Sequence, residues 1–111
     1  IKGNPSFADD ITEIFTRRGC AGSNCHGNGA GGLTISTSAS ANHARLVNVT
    51  SPMSGEVYDI PKDAQNSYLV KKLENRQGSG NGSRMPIGGS ALDNVDLTNI
   101  KNWINTGAPN N

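Results

Sequence analysis

The sequence predicts a small, loop-rich all-α domain that forms one unit over residues 1–111. Apolar residues recur at helical spacing in a few short stretches, and chain rich in Gly, Ser, Thr and Asn separates them. The length is that of a single domain, either complete or excised from a longer chain. No run approaches the roughly 18 apolar residues of a membrane helix, so we expect no membrane span.

The first helix is predicted over residues 6–18. Phe7, Ile11, Ile14 and Phe15 fall on one helical face. Ser6 provides a start signal, and the run from Arg17 to Gly19 provides an end.

Three further helices are predicted, joined by irregular chain. A brief one covers about residues 40–48, a second covers 66–75 with Asn66 and Ser67 as capping residues, and the last runs from Asp93 or Asp96 to Thr106. Gly107 supplies the last stop. The apolar residues assigned to the buried faces of the last two helices are Leu69, Val70, Leu73, Leu97, Ile100, Ile104 and Trp103.

The apolar core is thin for a folded domain. Only 21 of the 111 residues are Ile, Leu, Val or Phe, while 14 are Gly. A net charge of +1 argues against disorder and, because the cations are dispersed, against nucleic acid as the main partner. A buried apolar cofactor would complete such a core.

The two cysteines and one of the two histidines form the compact motif CAGSNCH. Cys20 and Cys25 would each bond to a haem vinyl group, and His26 would bind the iron. The usual motif has two residues between the cysteines, whereas this loop has four, so the spacing permits haem attachment without proving it. A Cys20–Cys25 disulfide and a zinc site that adds His43 stay open as alternatives.

The order of motifs along the chain resembles that of class I monohaem cytochromes c. The matching landmarks are the helix ending in Phe15, the CX4CH loop, GGL at 31–33, SYLVKKL at 67–73, RMPIGG at 84–89 and IKNWINTGA at 100–108. This resemblance implies a cytochrome c fold, with three to five helices wrapped around one covalent haem c.

The resemblance also implies the second iron ligand and the haem wall. Met85 would bind the iron opposite His26, with Met53 and His43 as rivals. Arg45, Arg76 and Arg84 are candidate partners of the haem propionates. The residues expected to line the haem are Leu33, Tyr68, Leu69, Leu73, Ile87 and Trp103, although the main role expected of Trp103 is helix packing.

The predicted function is single-electron transfer between redox-partner proteins, and not catalysis. Haem attachment through thioethers occurs outside the cytoplasm, which implies a periplasmic or cell-surface location. Two alternatives remain: a haem module with a displaceable sixth ligand, which would sense or react, and a small interaction module held by zinc or a disulfide.

Overall fold

The computed structural model describes residues 1–20, 26–29, 32–36, 38–52, 54–78, 80, 84–85 and 91–111. Over these residues the all-α prediction is confirmed, because two isolated bridges, Val47–Asp59 and Thr50–Val57, are the only β pairing. The α-helices are α1 (Thr12–Arg17), α2 (Ala39–Leu46), α3 (Tyr68–Leu73) and α4 (Asn94–Asn105). A π-helical turn, Phe7–Ile11, leads into α1, and a 3-10 turn covers His26–Asn28.

The first helical segment forms where its apolar pattern and end signals predict. The Ser6 hydroxyl accepts the Asp9 backbone N–H at 3.2 Å. Phe7, Ile11, Ile14 and Phe15 are all buried, as predicted. Gly19 turns the chain out of α1 with a φ of 75°, which few other residues adopt readily.

The helix α3 begins without the side-chain cap that the sequence predicts. The Ser67 hydroxyl accepts the Ile60 N–H at 2.8 Å and donates to the Asp63 carbonyl, so it holds the preceding loop instead. Ser67 does stand at the N-cap position, as predicted, but its hydroxyl makes no cap hydrogen bond, because its partners lie in the preceding loop. Tyr68, Leu69 and Leu73 of this helix are buried, as expected.

The segment that leads into α1 packs against α4, and charged residues tie the two helices together. The Phe7 and Trp103 rings lie 4.6 Å apart between centroids. The buried Asp96 carboxylate accepts hydrogen bonds from Arg17 and Arg18, at distances of 2.7 to 2.9 Å. These contacts lock the first and last helices to each other.

The bounds of α4 agree with the prediction, and so does its buried face, except at Leu97. Asp93 caps the helix by accepting the Asp96 N–H at 2.8 Å, and Gly107 follows its end with a φ of 114°. Ile100, Trp103 and Ile104 are fully buried, whereas Leu97 is only partly buried. None of the helices in the described part of the chain is long and apolar enough to cross a membrane.

Candidate functional site

The backbone of His26 takes part in three hydrogen bonds. Its N–H donates to the Cys20 carbonyl at 3.1 Å, and its carbonyl accepts the N–H groups of Ile35 at 2.9 Å and Gly29 at 3.2 Å. Cys20 is buried and is itself positioned by the end of α1, where its N–H donates to Phe15 at 2.8 Å. The other predicted attachment residue, Cys25, lies outside the described residues.

The His26 ring is oriented by a backbone carbonyl. Its Nδ1 lies 2.9 Å from the Leu33 oxygen. A carbonyl oxygen only accepts hydrogen bonds, so Nδ1 must carry the proton in this contact. In the neutral imidazole the remaining nitrogen, Nε2, then presents a lone pair.

That lone pair faces the sulfur of Met85. The His26 Nε2 lies 3.4 Å from the Met85 Sδ. A thioether sulfur has no proton to donate, so in the neutral tautomer two electron-pair donors point at each other. Such a pair is stabilised by a proton or by a soft metal ion between the two atoms.

Met85 is held in this position from its backbone. Its N–H donates to the Lys72 carbonyl in the last turn of α3 at 3.1 Å, and its side chain is 8% exposed. Burial lowers the pKa of the neighbouring Lys72 ammonium. The structure thus brings together the two residues that the sequence proposes as axial ligands, although they are 59 positions apart in the chain.

Most of the predicted wall residues are buried in the same apolar cluster as Cys20 and Met85. Those described and buried are Leu33, Tyr68, Leu69, Leu73 and Trp103, whereas Ile87 lies outside the described residues. Burial also raises the pKa of the Tyr68 hydroxyl. The short helix α3 supplies three of these wall residues and also the carbonyl that holds Met85.

Trp103 has the packing role expected for it. Its ring stacks at a tilt on Phe7, and its indole N–H donates to the Pro109 carbonyl at 2.9 Å. The N–H therefore already has an acceptor within the protein. This hydrogen bond holds the C-terminal segment at Pro109 against α4.

The rival ligand His43 is engaged elsewhere. Its Nε2 lies 2.8 Å from the Ala108 carbonyl, and its ring meets the edges of Phe7 and Trp103. These contacts belong to the packing of α2 on the chain end, away from the contact between His26 and Met85. Met53, the other rival, lies outside the described residues.

The three arginines considered as anion partners have different surroundings. Arg76 is paired with Glu74, with its Nη2 at 2.6 Å from a carboxylate oxygen. Arg84 is half-buried and directly precedes Met85. Arg45 is exposed, and its guanidinium lies 3.5 Å from the Thr34 carbonyl.

A cavity of about 530 Å³ lies beside Leu33, whose carbonyl orients His26. Its size is within the range of small-molecule sites. Its lining combines apolar residues with one cation: Gly32, Leu33, Thr34, Ala44, Arg45, Val49, Thr50, Pro52 and Tyr58. A Cβ at Gly32 would stand 2.7 Å from Pro52 Cγ, so only glycine fits between the two cavity walls.

Sequence reasoning missed the site contacts made by the backbone. The carbonyls of Leu33 and Lys72 hold the two candidate ligands, but every residue has a carbonyl and no side-chain pattern marks these two. It also missed Val49, Pro52 and Tyr58 in the cavity wall. The one available signal was Gly32, whose close approach to Pro52 needs a residue without Cβ.

Comparisons with protein-family models, with curated proteins and with solved structures found no match. The resemblance to cytochromes c therefore depends on the order of motifs in this chain. The contact between His26 and Met85 is a separate geometric observation.

Proposed function

We propose that this chain carries one covalent haem c and transfers single electrons. The observation that carries the proposal is the pair of donor atoms at the site, His26 Nε2 and Met85 Sδ, which face each other at 3.4 Å. The Leu33 carbonyl supports it, because metal-binding histidines usually donate their other ring N–H to such an acceptor. Cys20 and Cys25 would supply the two thioether links.

The donor set fits an iron porphyrin better than it fits the alternatives. An imidazole nitrogen and a thioether sulfur are the axial pair of many electron-transfer haems. Bonds from first-row metals to such atoms run at about 2.0–2.3 Å, so the pair must open by roughly 1 Å to admit a metal. A zinc site would also need His43, whose Nε2 contacts Ala108 instead.

The chain's own residues would orient the ligands and exclude water. When bound, the haem iron supplies a reversible one-electron couple. The neutral thioether of Met85 favours the reduced form relative to a second imidazole. The buried side chains of Leu33, Leu69 and Leu73 would keep solvent away, which further disfavours the more charged oxidised form.

If His26 and Met85 both bound the iron, an electron carrier would be favoured over a ligand-binding haem module. Met85 is buried, and its backbone is tied to α3, so its sulfur is held near His26. A carrier of this kind exchanges electrons with partner proteins and fits a periplasmic or cell-surface location, where thioether attachment takes place. The net charge of +1 predicts no strong electrostatic steering towards one partner.

The first test is the mass of the denatured protein, made in a host that attaches haem c. We expect the mass of the chain plus one haem, and a visible spectrum typical of nitrogen and thioether ligation. Met85→Ala should remove the thioether signature and let carbon monoxide bind the reduced protein. Met53→Ala is the matched control and should leave the spectrum unchanged.

Three outcomes would contradict this proposal in different ways. A colourless protein without the added mass would exclude the haem and favour zinc or a disulfide. Binding of carbon monoxide to the unaltered reduced protein would favour a displaceable sixth ligand. Loss of the thioether signature in Met53→Ala, but not in Met85→Ala, would show that Met53 is the ligand and that Met85 is not.

A further inference from the structure

Asp59 is a buried acid that the electron-transfer site does not use. It is 0% exposed, and neither of its carboxylate oxygens has a hydrogen-bond donor in the described protein. Its backbone is well held, because its N–H donates to Leu46 at 3.2 Å and its carbonyl accepts from Asn48 at 3.0 Å. The side chain is therefore fixed in the interior without a partner.

No neighbouring group compensates a charge on this carboxyl. The segment that carries Asp59 is hydrogen-bonded to α2, α3 and α4. The charged and titratable residues on this segment and these helices are His43, Arg45, Glu56, Tyr58, Lys62, Asp63, Tyr68, Lys71, Lys72, Asp96 and Lys101. None of them hydrogen-bonds to the Asp59 oxygens.

Several of these neighbours have partners of their own. Lys71 pairs with Glu56 at 2.5 Å, and Lys101 pairs with Glu74. The Asp63 carboxylate accepts both the backbone and the side-chain N–H of Asn66, and Lys62 is exposed. An uncompensated carboxylate in such a place is costly, so the neutral acid is favoured.

The segment that carries Asp59 is connected to the site through a single short helix. The carbonyls of Val57 and Tyr58 accept the N–H groups of Tyr68 and Leu69 at 2.9 and 3.0 Å. At the other end of that helix, α3, the Lys72 carbonyl holds Met85. Two hydrogen-bonded contacts between chain segments and four helical residues give a backbone path of about 15 Å, which we take as the order of magnitude of the separation.

We propose that Asp59 is a proton-binding site whose occupancy is coupled to the electron on the haem. This inference depends on the proposed function. When a one-electron donor protein reduces the iron from ferric to ferrous, the proton affinity of the Asp59 carboxylate rises, so near neutral pH a larger fraction of the molecules take one proton from water and hold Asp59 as a neutral acid. Reoxidation returns the electron to an acceptor and the proton to water, so charge and atoms balance.

The coupling has a defined sign and size. A negative Asp59 stabilises the ferric state, so reduction is easier at low pH, where the acid is neutral. Two charges about 15 Å apart at an effective dielectric constant of about 20 change each other's equilibrium by roughly sixfold. Burial raises the pKa of Asp59 to about 7, which puts the change near neutral pH.

The test is a redox titration of the haem-loaded protein between pH 5 and pH 9. We expect the equilibrium constant for reduction to be about sixfold larger at pH 5 than at pH 9. Asp59→Asn, which mimics the neutral acid, should remove most of this dependence and stay near the low-pH value. Asp63→Asn makes the same chemical change four positions away and should behave like the parent protein.

A second measurement separates the proton from any general effect of the substitution. The infrared difference spectrum between reduced and oxidised protein should show a protonated carboxyl band that Asp59→Asn lacks. A haem-loaded protein with a pH-independent equilibrium, or with the same dependence in Asp59→Asn, would overturn the coupling and leave the electron-transfer proposal intact. A protein without haem would overturn both.

Discussion

Two regions of the molecule differ in how their polar groups are paired: the contact between α1 and α4, made by Arg17, Arg18 and Asp96, and the site of His26 and Met85. At the contact between α1 and α4, the Asp96 carboxylate accepts three N–H groups from Arg17 and Arg18. At the site, two lone-pair donors face each other without a proton between them in the neutral tautomer. In the first region charges of opposite sign are paired, whereas the second brings two electron-pair donors together.

The largest expected effect separates the two histidines that these regions contain. If haem c is bound as proposed, His26→Ala should lower the content of imidazole-ligated haem at least tenfold, because it removes the proposed ligand itself and loss of even an indirect contact to a metal ligand costs that much. His43→Ala is the control. It should retain haem and lower the free energy of unfolding by about 2 kcal/mol, through its lost bond to Ala108 and its lost ring contacts.

Haem content is measured from the absorbance of purified protein, and stability from denaturant unfolding. Equal loss of haem in both variants would show that the two regions are not distinct.

A smaller effect is expected from removing the ion pairs of Arg17 and Arg18 with Asp96. Asp96→Asn should lower the free energy of unfolding by about 2–3 kcal/mol, because two arginines lose the charge of a buried partner. The haem spectrum should stay unchanged. Glu13→Gln alters an exposed partner of the same Arg17 and should cost less than about 1 kcal/mol.

The same ion pair predicts how stability depends on acid. Hydrogen bonds from Arg17 hold the pKa of Asp96 below its usual 3.8, so the folded state binds this proton less readily than the unfolded chain. The stabilisation is therefore present above pH 4 and is lost as the pH falls through the lowered pKa. The difference in free energy of unfolding between the parent and Asp96→Asn should be smaller at pH 3 than at pH 6. An equal difference at the two pH values would contradict this origin of the stabilisation.

The smallest expected effect concerns the cavity wall. Gly32→Ala should cost about 2 kcal/mol, because the new Cβ meets Pro52 and the φ of 81° disfavours alanine. Gly55→Ala has a similar φ of 75° but nothing within 4 Å of the new Cβ. The difference between the two variants in denaturant unfolding isolates the contact with Pro52, and equal losses would mean that the contact carries no energy.

Local pattern alone predicted the helices well. The face formed by Phe7, Ile11, Ile14 and Phe15 needs only helical periodicity, and the turns at Gly19 and Gly107 need only residues that tolerate positive φ. The predicted cap hydrogen bond of Ser67 does not form, because its hydroxyl bonds to the preceding loop instead of to its own helix. Local rules do not decide such a choice.

For the candidate site, too, residue patterns predicted one part and only the folded structure showed the other. Residue types and their order along the chain are enough to name candidate site residues: the cysteine and histidine motif, and a methionine within RMPIGG. The folded structure was needed to show that His26 meets Met85 and that His43 contacts Ala108 instead. It was also needed to show that Asp59 is buried with no hydrogen-bond partner among the described residues. The physical reason is that a donor's availability depends on which backbone carbonyls and charges the fold brings to it, and those groups come from distant parts of the chain.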